Sequence, residues 1–299
     1  MVRGSSPGES HGGVYVVDLD QQSIEQVIDW DTVDIDWQGR GADRGLCGIA
    51  FDGETIYIAA SDELFAFDPS FELIGSWRCA HLQHCDEIVI YERNLYLTST
   101  GYDSILAFDL DKKEFCWALH VDIQGFNFRG ATYDPNGDEG PLLLAKMHIN
   151  NVYVSDGGMY ISGTKIGGIL HFNGKAINMF AELPKGTHNA RPFRNGVIFN
   201  DTESDCLRYA SRDGVEDRKL GVPHFDRGVL LNKDTDDSPT ARQGFGRGLC
   251  VLSDHVVATG SSPSTISIHD LKANETALRV NLSMDIRNAI HGLEVWPYD

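Results

Sequence analysis

Long apolar runs are missing from this chain of 299 residues. Nothing approaches the roughly 18 consecutive apolar residues that a membrane-spanning helix needs, so no membrane partner is expected. Basic residues are scarce: 25 Lys and Arg stand against 44 Asp and Glu, a formal charge of −19. A surface this negative repels phosphate backbones, which excludes nucleic acid as an expected partner. Helical periodicity is nearly absent, and Pro is modest at 10 residues. The six cysteines form no Cys-x-x-Cys pair, so zinc ribbons and thioredoxin-type motifs are unsupported. A chain of this size has no need of disulfide staples. Its first residues, Met1-Val2-Arg3-Gly4-Ser5-Ser6-Pro7, carry no apolar signal region. A cytoplasmic protein with reduced thiols is the expectation.

What is present is an ordinary globular balance, 41% apolar and 23% charged, with 31 glycines. Short runs alternate apolar and polar residues between Gly, Asp, Asn and Ser, which is a strand-and-turn signal. One strand type recurs, two or three apolar positions usually closed by Asp, at residues 14–18, 64–68, 105–109, 169–173, 206–210 and 266–270. Their last residues are spaced by 50, 41, 64, 37 and 60, and by 47 across the two ends of the chain. A period of about 40–50 residues with four strands each marks a β-propeller. The clearest unit reads as strands at 48–52, 55–60, 64–68 and 72–78. The next reads as 87–91, 94–98, 104–109 and 114–119.

The expectation is therefore an all-β, single-domain, six-bladed propeller over residues 1–299 with four-stranded blades, with five or seven blades as the alternatives that the two long intervals leave open. Its first blade would be a composite of about residues 1–30 and 289–299, with 292–296 as the inner strand, so that strands from both ends close the ring. The two long intervals imply insertions at about 121–146 and 221–243. The first is the more apolar and aromatic and reads as a lid or pocket wall. The second is acidic and reads as a solvated loop.

Aligning the starts of the inner strands sets Arg44-Gly45-Leu46-Cys47 beside Gln83-His84-Cys85-Asp86, Met147-His148-Ile149-Asn150, Thr187-His188-Asn189-Ala190, Arg247-Gly248-Leu249-Cys250 and Ile290-His291-Gly292-Leu293. Four of the six carry His, and inner strands line the central channel. His84, His148, His188 and His291 are thus candidate ligands of one divalent transition metal, iron, copper or zinc, with no nucleotide cofactor expected. The alternative for each is a hydrogen-bonded core or surface histidine. His81 is an alternative ligand or a supporting group, and Asp86, Glu87 and Glu294 are near enough in sequence to orient imidazoles. Cys47 and Cys250 read as small buried thiols, with thiolate ligation as the alternative. Arg191, Tyr133 and Glu87 are the candidate catalytic side chains. Arg44, Arg247, Asn150 and Asn189 are candidate substrate contacts, the arginines as clamps for a carboxylate or phosphate.

The stretches Phe51-Asp52-Gly53-Glu54-Thr55-Ile56-Tyr57-Ile58-Ala59-Ala60 and Leu64-Phe65-Ala66-Phe67-Asp68 resemble six-bladed propellers of the NHL and senescence-marker/gluconolactonase type. Gluconolactonases hold a divalent ion with Glu, Asn and Asp, and no such set can be placed here. The histidine arrangement looks more like the peptidyl-hydroxyglycine lyase, a six-bladed propeller with histidine-held zinc. In ligand type alone it is similar to the longer, seven-bladed carotenoid-cleaving oxygenases. The carry-over reaches His84, His148, His188 and His291 only. The expected function is a metal-dependent enzyme acting on a small organic molecule, by oxidative or by lyase or hydrolase chemistry. The alternative is a non-enzymatic interaction module that binds a partner on its top face.

Overall fold

The computed structural model describes residues 1–31, 45–125, 127–238 and 241–298. Among these, five antiparallel sheets form the blades of a β-propeller. Blade 1 holds β3 (Ile49–Asp52), β4 (Thr55–Ala59), β5 (Leu64–Phe67) and β6 (Leu73–Trp77). Blade 2 holds β7 (Ile88–Tyr91), β8 (Asn94–Ser99), β9 (Ser104–Asp109), β10 (Glu114–Gln124) and β11 (Asn127–Tyr133). Blade 3 runs through β12 (Ile149–Ser155), β13 (Gly158–Gly163), β14 (Gly168–Phe172) and β15 (Ile177–Glu182). Blade 4 is β16 (Thr187–Phe193), β17 (Gly196–Asp201), β18 (Cys206–Ser211) and β19 (Asp217–Gly221). Blade 5 is β20 (Arg247–Val251), β21 (Val256–Ser261), β22 (Thr265–Asp270) and β23 (Glu275–Asn281). The innermost strands touch in sequence, β3 to β7, β7 to β12, β12 to β16 and β16 to β20. No helix among the described residues is long and apolar enough to cross a membrane.

The recurring Asp has a physical cause. Asp18, Asp68, Asp109 and Asp270, with Asn173 in the same place, each accept backbone N–H bonds from residues two to four further on. This side-chain turn ends the third strand and aims the chain into the fourth. In blade 4 the repeat ends on Ala210, and the Ser211 hydroxyl serves instead, accepting from the Glu216 N–H.

The six-bladed expectation is corrected to five blades. In the closing sector, β1 (Gly13–Asp18) and β2 (Ser23–Asp29) pair only with each other. Residues 292–296 form no strand. The backbone just before them is bonded elsewhere, Ala289 N–H to Met1 O and Ile290 N–H to Ser261 O. Gly292 then lies against the Cys47 carbonyl and Gly248 against that of His291, so the segment fills the space between blades 5 and 1 as irregular chain. Trp296 and Tyr298 turn outward onto Phe51.

Four-stranded blades hold for four of the five. In blade 2 the expected insertion at 121–146 begins as a strand. β10 continues to Gln124, and β11 pairs back along it from Gln124↔Asn127 to Ala118↔Tyr133, a fifth strand. Among its described residues beyond β19, the insertion at 221–243 is irregular apart from one 3-10 turn, Lys233–Thr235, and a bridge from Leu231 to Asp285. The core lies between blades. Leu95, Leu97, Leu106 and Phe108 meet Tyr57, Ala59 and Leu64 between blades 2 and 1, and Ile105 and Leu119 meet Ile149 and Ile161 between blades 2 and 3.

Candidate functional site at the propeller axis

The chain enters its inner strands through an unusual backbone shape. His84, His148, Asn189 and Gly248 have φ of +56°, +52°, +52° and +72°. Glycine takes this left-handed conformation freely, whereas other residues are uncommon there. Backbone pairing sorts them into two registers. Thr100 N–H bonds His84 O and Thr164 N–H bonds His148 O, so these two histidines are equivalent, and Phe245, which accepts from Ser262 N–H, holds that place in blade 5. Gly186, opposite Thr202, holds it in blade 4, so His188 and Arg247 stand two residues further on, with Asn189 and Gly248 inside the bulges that follow them. The histidines therefore form two sets rather than one ring.

His188 and His291 make the more informative set. The Nδ1–H of His188 donates to Gly186 O at 3.0 Å, and that of His291 to Ala289 O at 3.3 Å. A carbonyl only accepts, so both rings carry their proton on Nδ1 and direct a bare lone pair from Nε2. Both Nε2 atoms are buried without a partner. Burial first, and then the charge of Arg247, holds both imidazoles well below the ordinary histidine pKa. They are neutral bases at neutral pH.

Arg247 is buried as well. Its guanidinium lies 4.9 Å from the centre of the Phe245 ring and 3.5 Å from Asp86 Oδ1, and its Nε has no partner. The Phe245 ring meets His188 edge-on at 5.3 Å and is also approached by Arg242 at 5.3 Å and Arg3 at 6.0 Å. In a strongly acidic protein, cationic groups are thus concentrated at this mouth. Asp86 also accepts from the Thr100 hydroxyl at 3.2 Å.

Further along the axis lies a polar chain. Asn200 Nδ2 donates to Asn189 Oδ1 at 3.0 Å, and Asn189 Nδ2 donates to Glu87 Oε2 at 2.7 Å. Burial, and then the nearby Glu294, push the Glu87 carboxyl up to about 8, with Arg191 opposing. Cys250 Sγ donates to Glu294 Oε2 at 3.6 Å, and burial with that carboxylate raises the thiol to about 12, so it stays a thiol. Arg191 donates to Leu249 O at 2.8 Å. Buried atoms without partners concentrate here: Asn150 Oδ1, Arg191 Nε and Asn200 Oδ1 join those of His188, Arg247 and His291. A burial pattern of this kind calls for a ligand or ordered water.

The structure thus brings His148, His188, Arg247, Arg191, Glu87, Asn150 and Asn189 to the inner strands or their entries, and His291 beside them in the irregular closing segment, its carbonyl against Gly248. His84 is there too, its Nδ1 3.5 Å from the Ser61 hydroxyl. Tyr133 is elsewhere, the last residue of the outermost strand of blade 2, its ring against His81. His81 is tied to Pro135 O at 3.0 Å and holds the β10–β11 extension in place. Arg44 lies outside the described residues. Arg3, Arg242, Phe245 and Asn200 were missed by sequence reasoning. Only Asn200, a polar residue closing an apolar strand, offered a signal.

A metal was tested against this donor set. Two orphaned Nε2 atoms, each with Nδ1–H on a carbonyl, are oriented as ligating imidazoles are. No group of three His, Cys, Asp or Glu among the described residues, however, stands close enough to hold an ion. Arg247 places a positive charge beside both imidazoles. The described residues at the axis do not fit a bound metal ion.

No protein-family model matches the chain, and no curated protein is significantly similar to it. Many solved structures are similar in shape. U3-55K aligns with a TM-score of 0.50 at 9% identity, over 81% of this chain and 66% of that one. The WD40 repeats of RRP9 align at 0.49 and 9%, over 81% and 65%. A catalytically inactive virginiamycin B lyase from Staphylococcus aureus with quinupristin aligns at 0.48 and 10%, over 83% and 73%. The chain thus spans about two thirds of the length of the first two. At these identities the likeness concerns the β-propeller fold alone.

Proposed function

We propose that the protein binds a small organic anion at the mouth of the propeller axis and acts on it by acid–base chemistry. Arg247 holds the negative charge, and the neutral imidazole of His188 or His291 accepts a proton at Nε2. The observation that carries this reading is the pair of buried Nε2 atoms without partners beside an equally unpartnered guanidinium Nε. Each such atom costs about 1–3 kcal/mol when left unpaired, a cost that a ligand offering both acceptors and donors removes. A hydroxy acid has that combination, with carboxylate oxygens for Arg247 and a hydroxyl hydrogen for Nε2. Glu87, held partly protonated, supplies an acid further along the axis.

The test is calorimetric titration with malate, tartrate and citrate, with succinate as the analogue lacking a hydroxyl. At least one hydroxy acid should bind, Arg247→Met should abolish binding, and His188→Gln should weaken it about tenfold or more. Failure of all three acids to bind the folded protein overturns the reading. Elemental analysis of the untagged protein accompanies it. About one equivalent of iron, copper or zinc, lost in His188→Ala and His291→Ala, would replace acid–base chemistry with the metal-dependent alternative.

The second reading, a non-enzymatic interaction module, is favoured by one observation. Leu142, Leu143 and Leu144 are 74%, 51% and 54% exposed, and Leu143 lies against Gly101. It predicts that mouth variants leave partner binding intact and that Leu143→Glu removes it.

A further inference from the structure

Between blade 5 and the closing sector lies a cleft of about 610 Å3. Its walls come from β1, from β20 to β22, from residues 288–296 and, on the blade 1 side, from Leu46, Cys47, Ile49, Phe51, Ile58 and Phe71. That volume lies within the range of small-molecule pockets. The lining is mainly apolar, with Ile268 among its wall residues, and it is aromatic at one side, where Phe71 and Trp296 stack at 5.5 Å and 19°. Among the described residues its charged side chains are the carboxylates Asp18, Asp20 and Glu294, and its one cation is the Met1 ammonium, which donates to Ala289 O at 2.8 Å. Arg191, which influences Glu294, does so from the axial side and is not part of the lining.

We infer that this cleft is a binding site for a small organic cation, an aromatic or aliphatic amine whose apolar body lies along Ile268 and Trp296 and whose ammonium faces Glu294. Carboxylates together with aromatic faces are the combination that recognises ammonium groups, through Coulomb attraction and the negative face of the ring. An anionic ligand would meet three carboxylates there against the single Met1 ammonium, which is already bonded to Ala289 O. The site is distinct from the axial mouth in ligand charge, although His291 lies in the wall between them.

Two probes with the same indole body and opposite heads test this, tryptamine and indole-3-propionate, titrated calorimetrically into the full chain at pH 8. Tryptamine should bind at least about tenfold more tightly than the carboxylate. Glu294→Gln should lower tryptamine affinity by about tenfold while leaving the melting temperature nearly unchanged. Ala258→Leu, which adds bulk to the cleft wall, should weaken tryptamine as well. Equal affinity for the two probes, no binding of either, or an unchanged affinity in Glu294→Gln overturns the inference. Glu294→Gln alone decides the matter if the bulkier variant fails to fold.

Discussion

The interface between blades 1 and 2 and the one between blade 5 and the closing sector are built from similar residues and end differently. In the first, Tyr57, Leu64, Leu95, Leu106 and Phe108 are all fully buried, and the Phe108 ring touches Tyr57, Trp77 and Phe115. In the second, Ile266, Ile268 and Leu282 face a cleft. The difference lies in the backbone. Two complete sheets present matched rows of side chains at sheet-to-sheet spacing. Among the described residues, the closing sector presents one two-stranded ribbon and an irregular segment, and the cleft lies beside them. A propeller thereby acquires a pocket at the place where its ring is joined.

Breaking the tight interface should have the largest effect. Phe108→Ala is expected to cost about 3–5 kcal/mol in urea unfolding, whereas Ile268→Ala, at the cleft, should cost about 1 kcal/mol or less. Equal losses would mean that the two interfaces are packed alike.

Acid should come next, acting on blade 5. His269 is buried, between the hydroxyls of Thr259 at 2.9 Å and Thr276 at 3.0 Å, and burial lowers its pKa to about 4. Its folded pKa lies below the unfolded one near 6.5, so the unfolded chain binds the extra proton first. The stability it contributes is full above about pH 6.5 and is lost as pH falls towards 4. His269→Asn should flatten this limb in unfolding measured from pH 7.5 to 4.5. Glu87 works in the opposite sense. Its folded pKa is raised to about 8, so its contribution is full below about pH 4.5 and declines as pH rises through 8. The advantage of Glu87→Gln over the wild type should therefore grow from pH 5 to pH 9.

The smallest effect should come from filling the cleft. Ala258→Leu should raise stability by about 0.5–1 kcal/mol, measured by urea unfolding, unless the added methyls meet a wall that cannot yield.

The blades were legible because their signals are local. The Asp that closes a third strand makes its turn with the next few residues, and Leu64 to Phe67 is one apolar run. The blade count was not legible, because it depends on which distant backbone bonds Ala289 and Ile290 make. The fifth strand of blade 2 was hidden for a related reason. The alternation in Asn127-Phe128-Arg129-Gly130 is short, and the strand is stabilised by pairing with an extension of β10. At the axis, the histidines were found by position, but their grouping was not. His188 stands two residues beyond the place that His84 and His148 take, and a residue string does not display the backbone pairing that sets this. The cations around Phe245 come from two stretches, Arg3 near the start of the chain and Arg242 and Arg247 on either side of Phe245 itself.

The ring closes through contacts nearly the whole chain apart, Val2 bridging Asn288 and Ala289 N–H bonding Met1 O. Bringing such distant residues together costs about 5 kcal/mol of chain entropy, whereas each blade closes hairpins of only a few residues. Blades should therefore assemble early and the seam last, so that the slow step of folding is circularisation. A permuted chain, cut in the exposed loop near Leu143 and joined across the seam, would convert this longest closure into a local one. It should refold faster at nearly unchanged equilibrium stability.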